Sequence, residues 1–272
     1  ELVSAKGIAE GVSNSNWLVE TTGHGGSGSR FILTMYEARV EVEDLPFFLG
    51  LLDHLAAKGS PVPRTIHDRE GAAFRTVRGK AVALIEFLPG VSVDEPSAGQ
   101  ARAVGGALAG IHLAAADFAG KRANALALQQ WHDLLSRCGE LGLSAIDPGL
   151  PGLVERELRH LTANWPQGLP RSVIHADLFP DNVKFKGNRL IGVLDFEAAC
   201  RGKLIYDLAT AVNALCFLDG SYRIERFEAL ISGYESLRPL SLPEWDSFPN
   251  ELRFSALRFT VTRIKDFFLR KV

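Results

Sequence analysis

What this sequence has little of narrows it quickly. Only three of its 272 residues are cysteines (Cys138, Cys200 and Cys216). An odd count with no CxxC pair argues against a disulfide framework and a structural zinc site, and fits a reducing, cytoplasmic compartment. Charge of one sign is equally scarce: 30 Lys and Arg against 32 Asp and Glu leave a net of -2. Such a chain has no global field for nucleic acid or an anionic membrane, so any phosphate it handles must be met by a local site. Long apolar runs are missing as well. The longest, around Ala81–Leu88 and Ala211–Leu218, fall short of the roughly 18 residues of a membrane-spanning helix and are sized for a core. No signal-peptide pattern is visible. The first residue is Glu1 rather than Met, which leaves open that native residues are missing at the ends or internally.

What is present is enough apolar residue, 46%, to build a proper core. At roughly 100–200 residues per domain the length implies one large domain or two lobes. The first ninety residues read as strand-rich: Lys6–Glu10, Trp17–Thr22, Phe31–Tyr36 and Ala81–Phe87, with a glycine-rich turn at Gly23–Ser29. Between them lies a helix with clear punctuation, Asp44 as N-cap, Pro46 in the first turn and Gly59 past the end. Its interior is apolar on most sides, which predicts burial. Pro89-Gly90 is the best boundary, and beyond it helical spacing takes over in Ala101–Ala115, Leu153–Ala163, Leu204–Leu218, Ile224–Glu235 and Glu251–Leu269. One β insert interrupts them: Val173-Ile174, Val183–Phe185, a Lys186-Gly187-Asn188 turn, and Leu190–Leu194. The expected architecture is α+β, with a small antiparallel-sheet lobe over 1–88 and a larger, mainly helical lobe over 89–272. No internal repeat appears.

The insert holds the residues that carry chemistry. His175-Ala-Asp177-Leu-Phe-Pro-Asp181-Asn182 has the HxDxxxxN pattern, and Leu194-Asp195-Phe196 comes after it. Phosphoryl transfer asks for such a set: one carboxylate to accept or orient the attacking hydroxyl, and an amide plus a second carboxylate to hold Mg²⁺ on the phosphates. A short hairpin between Asn182 and Asp195 would return both to one end of the insert. Asp177 is therefore the expected base, and Asn182 and Asp195 are the expected metal ligands. Singly, each is a common turn former; jointly, at this spacing, they point to a kinase using ATP and Mg²⁺. His175 reads as a hydrogen-bonding scaffold of the loop and Asp181 as a loop stabiliser. Asp207 reads as a cap of the following helix that also bonds the loop.

This stretch resembles the catalytic loop of the aminoglycoside phosphotransferase-like kinases, which share the two-lobed protein-kinase fold. The resemblance spans essentially the whole chain. Glu86-Phe-Leu88-Pro-Gly90 is similar to their hinge, which implies adenine contact at Glu86 and Leu88. Leu108–His112 resembles the helix after the hinge, and Tyr206–Ala209 the buried helix after the metal-binding Asp. Gly7–Asn16, Phe31–Glu37, Leu45-Pro-Phe-Phe-Leu49 and Ala256–Phe259 with Thr262-Arg263 are similar to the homoserine kinase branch. That branch implies transfer of the ATP γ-phosphate to the side-chain hydroxyl of L-homoserine, in threonine biosynthesis.

Two departures stand out. Where protein kinases carry a strand lysine for the phosphates, Phe31-Ile-Leu-Thr34 ends in Thr34, as the homoserine kinase branch also does. Lys6 and Arg39 are candidates for the missing charge, or are solvated surface cations; Glu41 and Glu43, without that lysine, read as exposed. The phosphate loop lacks GxGxxG; Ser13, Asn14 and Asn16 either cover phosphate oxygens or form a turn. For an acceptor with a carboxylate, Arg263 is the candidate partner, unless it lies on an ordinary helix face. Rival readings are a kinase for an aminoglycoside, choline or methylthioribose, and a nucleotide-binding pseudokinase.

Overall fold

Strands at the start of the chain pair into one antiparallel sheet in the structure, a computed structural model that describes residues 1–8, 14–22, 28–37, 41–124 and 128–269. Strands β1 (Leu2–Ile8), β2 (Ser15–Thr21) and β3 (Ser29–Met35) precede helix α1 (Leu45–Ala57); β4 (Thr65–Ile66), β5 (Arg75–Val77) and β6 (Lys80–Glu86) come after it. The sheet order is β1-β2-β3-β6-β4, with β5 also on β6. Its register sets Asn16 opposite Thr34 and Thr34 opposite Ala83, so the two polar side chains share one end of the sheet.

Helix α1 buries seven side chains, Leu45, Phe47, Phe48, Leu49, Leu51, Leu52 and Leu55, as its apolar composition predicts. Pro46 lies in its first turn and Gly59, at φ 76°, lies just past its end. Asp44 precedes the helix but makes no side-chain cap; its carboxylate instead pairs with Arg122 at 2.7 Å. A tertiary cation has outcompeted the local amides for this carboxylate.

The segment after β6 is stitched to a hairpin nearly a hundred residues further along the chain. Val91 and Phe185 exchange both backbone bonds, at 3.0 and 2.8 Å, and a Cβ on Gly90 would lie 2.9 Å from the Phe185 carbonyl. Glycine is required at this crossing because the chain runs directly over the hairpin β8 (Val183–Lys186)–β9 (Arg189–Val193). Strand β7 (Arg171–Ile174) leads into that hairpin, and β10 (Cys200–Lys203) returns to pair with β7.

Helices dominate the rest. Helix α2 (Ala98–Ala114) opens with a complete Ser97/Gln100 capping box. It lies against α6 (Ile224–Glu235) so closely that a Cβ on Gly105 would strike the Leu230 carbonyl, and one on Gly233 the Arg102 carbonyl. Helix α5 (Leu204–Leu215) is buried along nearly its whole length. A second core joins α3 (Leu128–Ile146), α4 (Leu150–Ala163) and α7 (Leu242–Leu269), where Trp131 stacks on Phe254 at 4.8 Å between centroids. Among the described residues no helix is long and apolar enough to cross a membrane.

The structure revises several sequence boundaries. The helix expected to reach Leu218 ends at Leu215, and Phe217–Leu218 (β11) turns back on Ser221–Tyr222 (β12). Asp219 and Gly220 sit between them at φ 50° and 74°, the conformation that a two-residue Asp-Gly hairpin turn demands. Helix α7 begins at Leu242 rather than Glu251 and runs through Pro249. Helix α3, which breaks at Gly139 (φ 67°, ψ 167°), and strand β10 were not foreseen.

Candidate active site

Strand β7 delivers its chain into a loop whose backbone is held from below. The His175 and Ala176 amides donate to the two oxygens of Asp207, each at 2.7 Å. Ala176 sits at φ 64°, a left-handed conformation costing a non-glycine residue about 1–2 kcal/mol, and the two charge-assisted bonds hold it there. The His175 Nε2–H donates to the Leu194 carbonyl at 2.7 Å, while its Nδ1 accepts the Asp177 amide at 3.2 Å. His175 is thus the buried scaffold expected of it, fixing Asp177 on one side and the approach to Asp195 on the other. Asn182 spends its Nδ2 on the Asp177 carbonyl at 2.8 Å, and its own carbonyl accepts the Leu194 amide at 2.8 Å. Its Oδ1 has no protein partner among the described residues.

Asp207 continues into a buried chain of donors. The His112 Nε2–H donates to Asp207 at 3.0 Å, Tyr234 Oη meets His112 Nδ1 at 2.8 Å, and Arg238 donates to Tyr234 Oη at 3.2 Å. Arg238 also pairs with Glu244 at 2.7 Å. Burial pushes the Asp207 pKa up, but the His112 bond and charge, His175 and the loop amide outweigh it and hold the carboxyl below its ordinary value. The sequence suggested a helix cap that also bonds the loop; the loop bonds are present and both oxygens are spent on them and on His112, so Asp207 is a tertiary clamp.

Above the loop lies a cleft of about 620 Å³. One wall is apolar, with Ile8, Ile32, Leu49, Leu52, Ile85 and Leu88. The other carries Asp177, Asp181, Asn182, Asp195 and Glu197. Counting Glu86, five lining residues bear carboxylates and one, Lys184, bears an amine. Asp195, at φ 57°, opens onto the cleft, yet the protein crowded around its carboxyl pushes its pKa up, opposed by His175 and reinforced by Asp177 and Asp181. Glu197 rises to about 7, through burial first and the Asp195 charge second. Burial likewise raises the Tyr36 phenol, with Glu197 and Asp195 adding to it. Such a wall disfavours further negative charge unless a cation enters with it.

The expected site residues converge in part. Asp177, Asn182, Asp195, Asn14, Asn16, Thr34, Glu86 and Leu88 all line this cleft. Thr34 donates to Asn16 Oδ1 at 2.8 Å, and Asn14 bonds Glu197 across the cleft while its Oδ1 accepts the Glu37 amide at 3.2 Å. Ser13 and Arg39 lie outside the described residues. Lys6 is exposed and absent from the lining, and Glu41 and Glu43 are exposed as expected. Arg263 is exposed and does not reach the cleft; the α7 guanidinium beside Asp177 is that of Arg258, at 3.3 Å. A sequence shows a cation's helix but not the helix's rotation, and that rotation sets which α7 arginine stands beside Asp177.

Sequence reasoning missed Glu197, Tyr36 and Arg122. Glu197 was legible as an acid two residues beyond Asp195. Arg122 had no local signal: it joins Asp44 to the carbonyls of Glu197 and Ala199, at 3.1 and 3.0 Å, with its guanidinium over the Phe48 ring. It thereby ties α1 to the segment following Asp195.

Residues 4–240 match the phosphotransferase enzyme family. The homoserine kinase of Xanthobacter autotrophicus is 49% identical over 266 residues, 97% of this chain and 81% of that protein. That of Nitrobacter winogradskyi is 47% identical over 268 residues, 98% and 80% respectively. The chain belongs to this family, in its homoserine kinase branch. The fold agrees: a spectinomycin phosphotransferase solved with ADP and spectinomycin superposes with a TM-score of 0.76 over 99% of this chain and 84% of that one, at 11% identity. For a phosphotransferase of this branch, the polar wall fits a divalent cation. Asn182 Oδ1 and the crowded Asp195 carboxylate are hard oxygen donors lining one cleft, and neither side chain is paired with a Lys or Arg among the described residues; Mg²⁺ commonly takes only one or two protein ligands, the rest being phosphate and water.

Proposed function

We propose that this cleft performs its branch's reaction with ATP as donor and the side-chain hydroxyl of L-homoserine as acceptor. The observation that carries the reading is the meeting of Asp177, Asn182 and Asp195 in one cleft, under a polar sheet end, on a loop clamped by Asp207. The sheet lobe, residues 1–88, takes the nucleotide. Its apolar wall receives the base, and the Leu88 amide, which has no protein acceptor among the described residues, supplies a donor at the hinge. Asn14, Asn16 and Thr34 replace a strand lysine with neutral donors near the phosphates.

The lobe of residues 89–272 supplies the chemistry. Asp177 takes the hydroxyl proton as the acceptor oxygen bonds the γ-phosphorus and the bond to the β-phosphate oxygen breaks, releasing ADP. Asn182 and Asp195 would hold Mg²⁺, whose charge would neutralise the phosphates against a wall rich in carboxylates. We place the enzyme in the cytoplasm, where three unpaired thiols are at home.

A coupled ADP-release assay with ATP and Mg²⁺ tests the assignment by comparing L-homoserine with L-serine, choline, methylthioribose and one aminoglycoside. Turnover confined to homoserine is expected; turnover with another of the four instead would name a different acceptor. Asp177→Asn should keep ATP binding while kcat falls by about 10²–10⁴. Undiminished turnover in that variant would remove Asp177 from the reaction.

A further inference from the structure

We propose that Arg258 binds the carboxylate of the acceptor and so selects an amino-acid alcohol over the corresponding plain amino alcohol. The inference rests on the homoserine reading above. Lys203, Arg238 and Arg258 are cations withdrawn from solvent in the helical lobe, and the partners of the first two differ in kind from that of the third. Lys203 is paired with Glu251, and Arg238 with Glu244 at 2.7 Å; both acids are sealed in the interior. Arg258, with 8% of its side chain exposed, has Asp177 as that side chain's one polar partner among the described residues, a carboxylate 35% exposed and needed by the reaction. That contact is 3.3 Å long and uses one nitrogen, whereas a committed two-point pair runs at about 2.7–2.9 Å. Most of the five donors of this guanidinium therefore have no protein partner among the described residues.

Its placement suits a ligand rather than a scaffold. The Arg258 guanidinium lies 4.1 Å from the centre of the Phe259 ring, and Phe259 packs edge-on against Phe179, two residues beyond Asp177, at 4.7 Å. The fork is thus held rigid beside the base without its edge donors being consumed. An acceptor whose hydroxyl sits at Asp177 carries its carboxyl carbon three C–C bonds further on, about 1.5 Å each. That span exceeds the 3.3 Å between Asp177 and the guanidinium, so the carboxylate can reach it. Phosphates would be met through a divalent cation held by Asn182 and Asp195, which leaves Arg258, the cation beside Asp177, for the acceptor's own anion.

The test compares L-homoserine with 3-amino-1-propanol, which is homoserine without its carboxylate, in wild type, Arg258→Met and Arg258→Lys. Wild type should prefer homoserine by about 10³-fold or more in kcat/KM, because a site built to pair a polar group rejects the analogue lacking it. Arg258→Met should lose most of that preference, with homoserine falling roughly 10²-fold and aminopropanol within about threefold of wild type. Arg258→Lys keeps the charge but not the fork, and should lose about tenfold on homoserine alone. As a binding readout, L-2-aminobutyrate has the carboxylate but no hydroxyl for Asp177, and its competitive inhibition should weaken in both variants. Equal loss on both alcohols, or unchanged inhibition by aminobutyrate, would make Arg258 a mere support of Asp177 and overturn the proposal. A wild type silent on homoserine would instead overturn the acceptor assignment beneath it.

Discussion

Replacing Asp207 by Ala removes three hydrogen bonds at once: those from the His175 and Ala176 amides and from His112. All three donors are buried, so water cannot replace the lost acceptor cheaply. A hydrogen bond to a charged group contributes about 1.5–3 kcal/mol, and breaking one side of a buried ion pair costs about 3–5 kcal/mol. These overlap, which sets the expected loss at about 4 kcal/mol, out of a total of roughly 5–15 kcal/mol for a folded protein. At about 2–4 °C per kcal/mol, Tm should fall on the order of 10 °C. Turnover should fall further than stability suggests, because Ala176 at φ 64° relaxes once its clamp is gone and carries Asp177 with it. Asp207→Asn keeps the shape but offers one acceptor where two amides need two, so it should lose about 2–3 kcal/mol. The acid limb gives an independent reading. The folded state holds Asp207 below its ordinary 3.8, so protonation favours the unfolded chain. Its contribution is full above that value and disappears as pH falls through the lower folded one, and Asp207→Asn should flatten this limb. Thermal unfolding followed by circular dichroism, beside the ADP-release assay, measures both effects. A variant within about 3 °C of wild type and within twofold in kcat would refute the clamp.

Three further outcomes rest on the packing. Gly105→Ala gains up to about 1 kcal/mol of helix propensity but drives a methyl into the Leu230 carbonyl, for a net loss of about 1–3 kcal/mol. Gly110→Ala meets only Leu237 at 4.0 Å and should stabilise by about 0.5–1 kcal/mol; urea midpoints that rank the two the other way would deny the α2–α6 contact. Arg122→Ala cuts the tie between α1 and the segment after Asp195, and should raise the KM for ATP roughly tenfold, about 1.4 kcal/mol of lost positioning. Steady-state kinetics with an unchanged KM would leave Arg122 a packing residue. Iodoacetamide should label Cys138 well before Cys200 and Cys216, whose thiols burial pushes up to about 11 and about 12. Peptide mapping that finds Cys200 modified as fast as Cys138 would contradict that burial.

The residues assigned to the reaction were legible because they lie close together in the chain. From Asp177 to Asn182 is a single loop, and the hairpin that brings Asp195 back announces itself by its Gly187 turn. Helix α6 was legible over its full length, since its periodicity is clean and its ends are marked. The Asp-Gly pair at 219–220 was equally readable but was overrun by the apolar run before it. Helix α3 and strand β10 were not readable. The first is broken by a glycine in its middle, and the second is a short edge strand that exists only because β7 lies beside it.

By itself the sequence pointed to the reaction class, to a strand-rich first part followed by a mainly helical one, and to Asp177, Asn182 and Asp195 as candidates for base and metal ligands, because those depend on residue types at fixed local spacings. Only the tertiary structure decided which distant groups serve them. The loop bond expected of Asp207 is there, but the structure gives both its oxygens to amides 31 and 32 residues away, so it does not also cap its helix. Asp44 pairs with Arg122 rather than with its own helix for the same reason. Arg258 rather than Arg263 stands beside Asp177 because five residues of α-helix turn a side chain well past one full revolution, and packing alone sets which face looks inward.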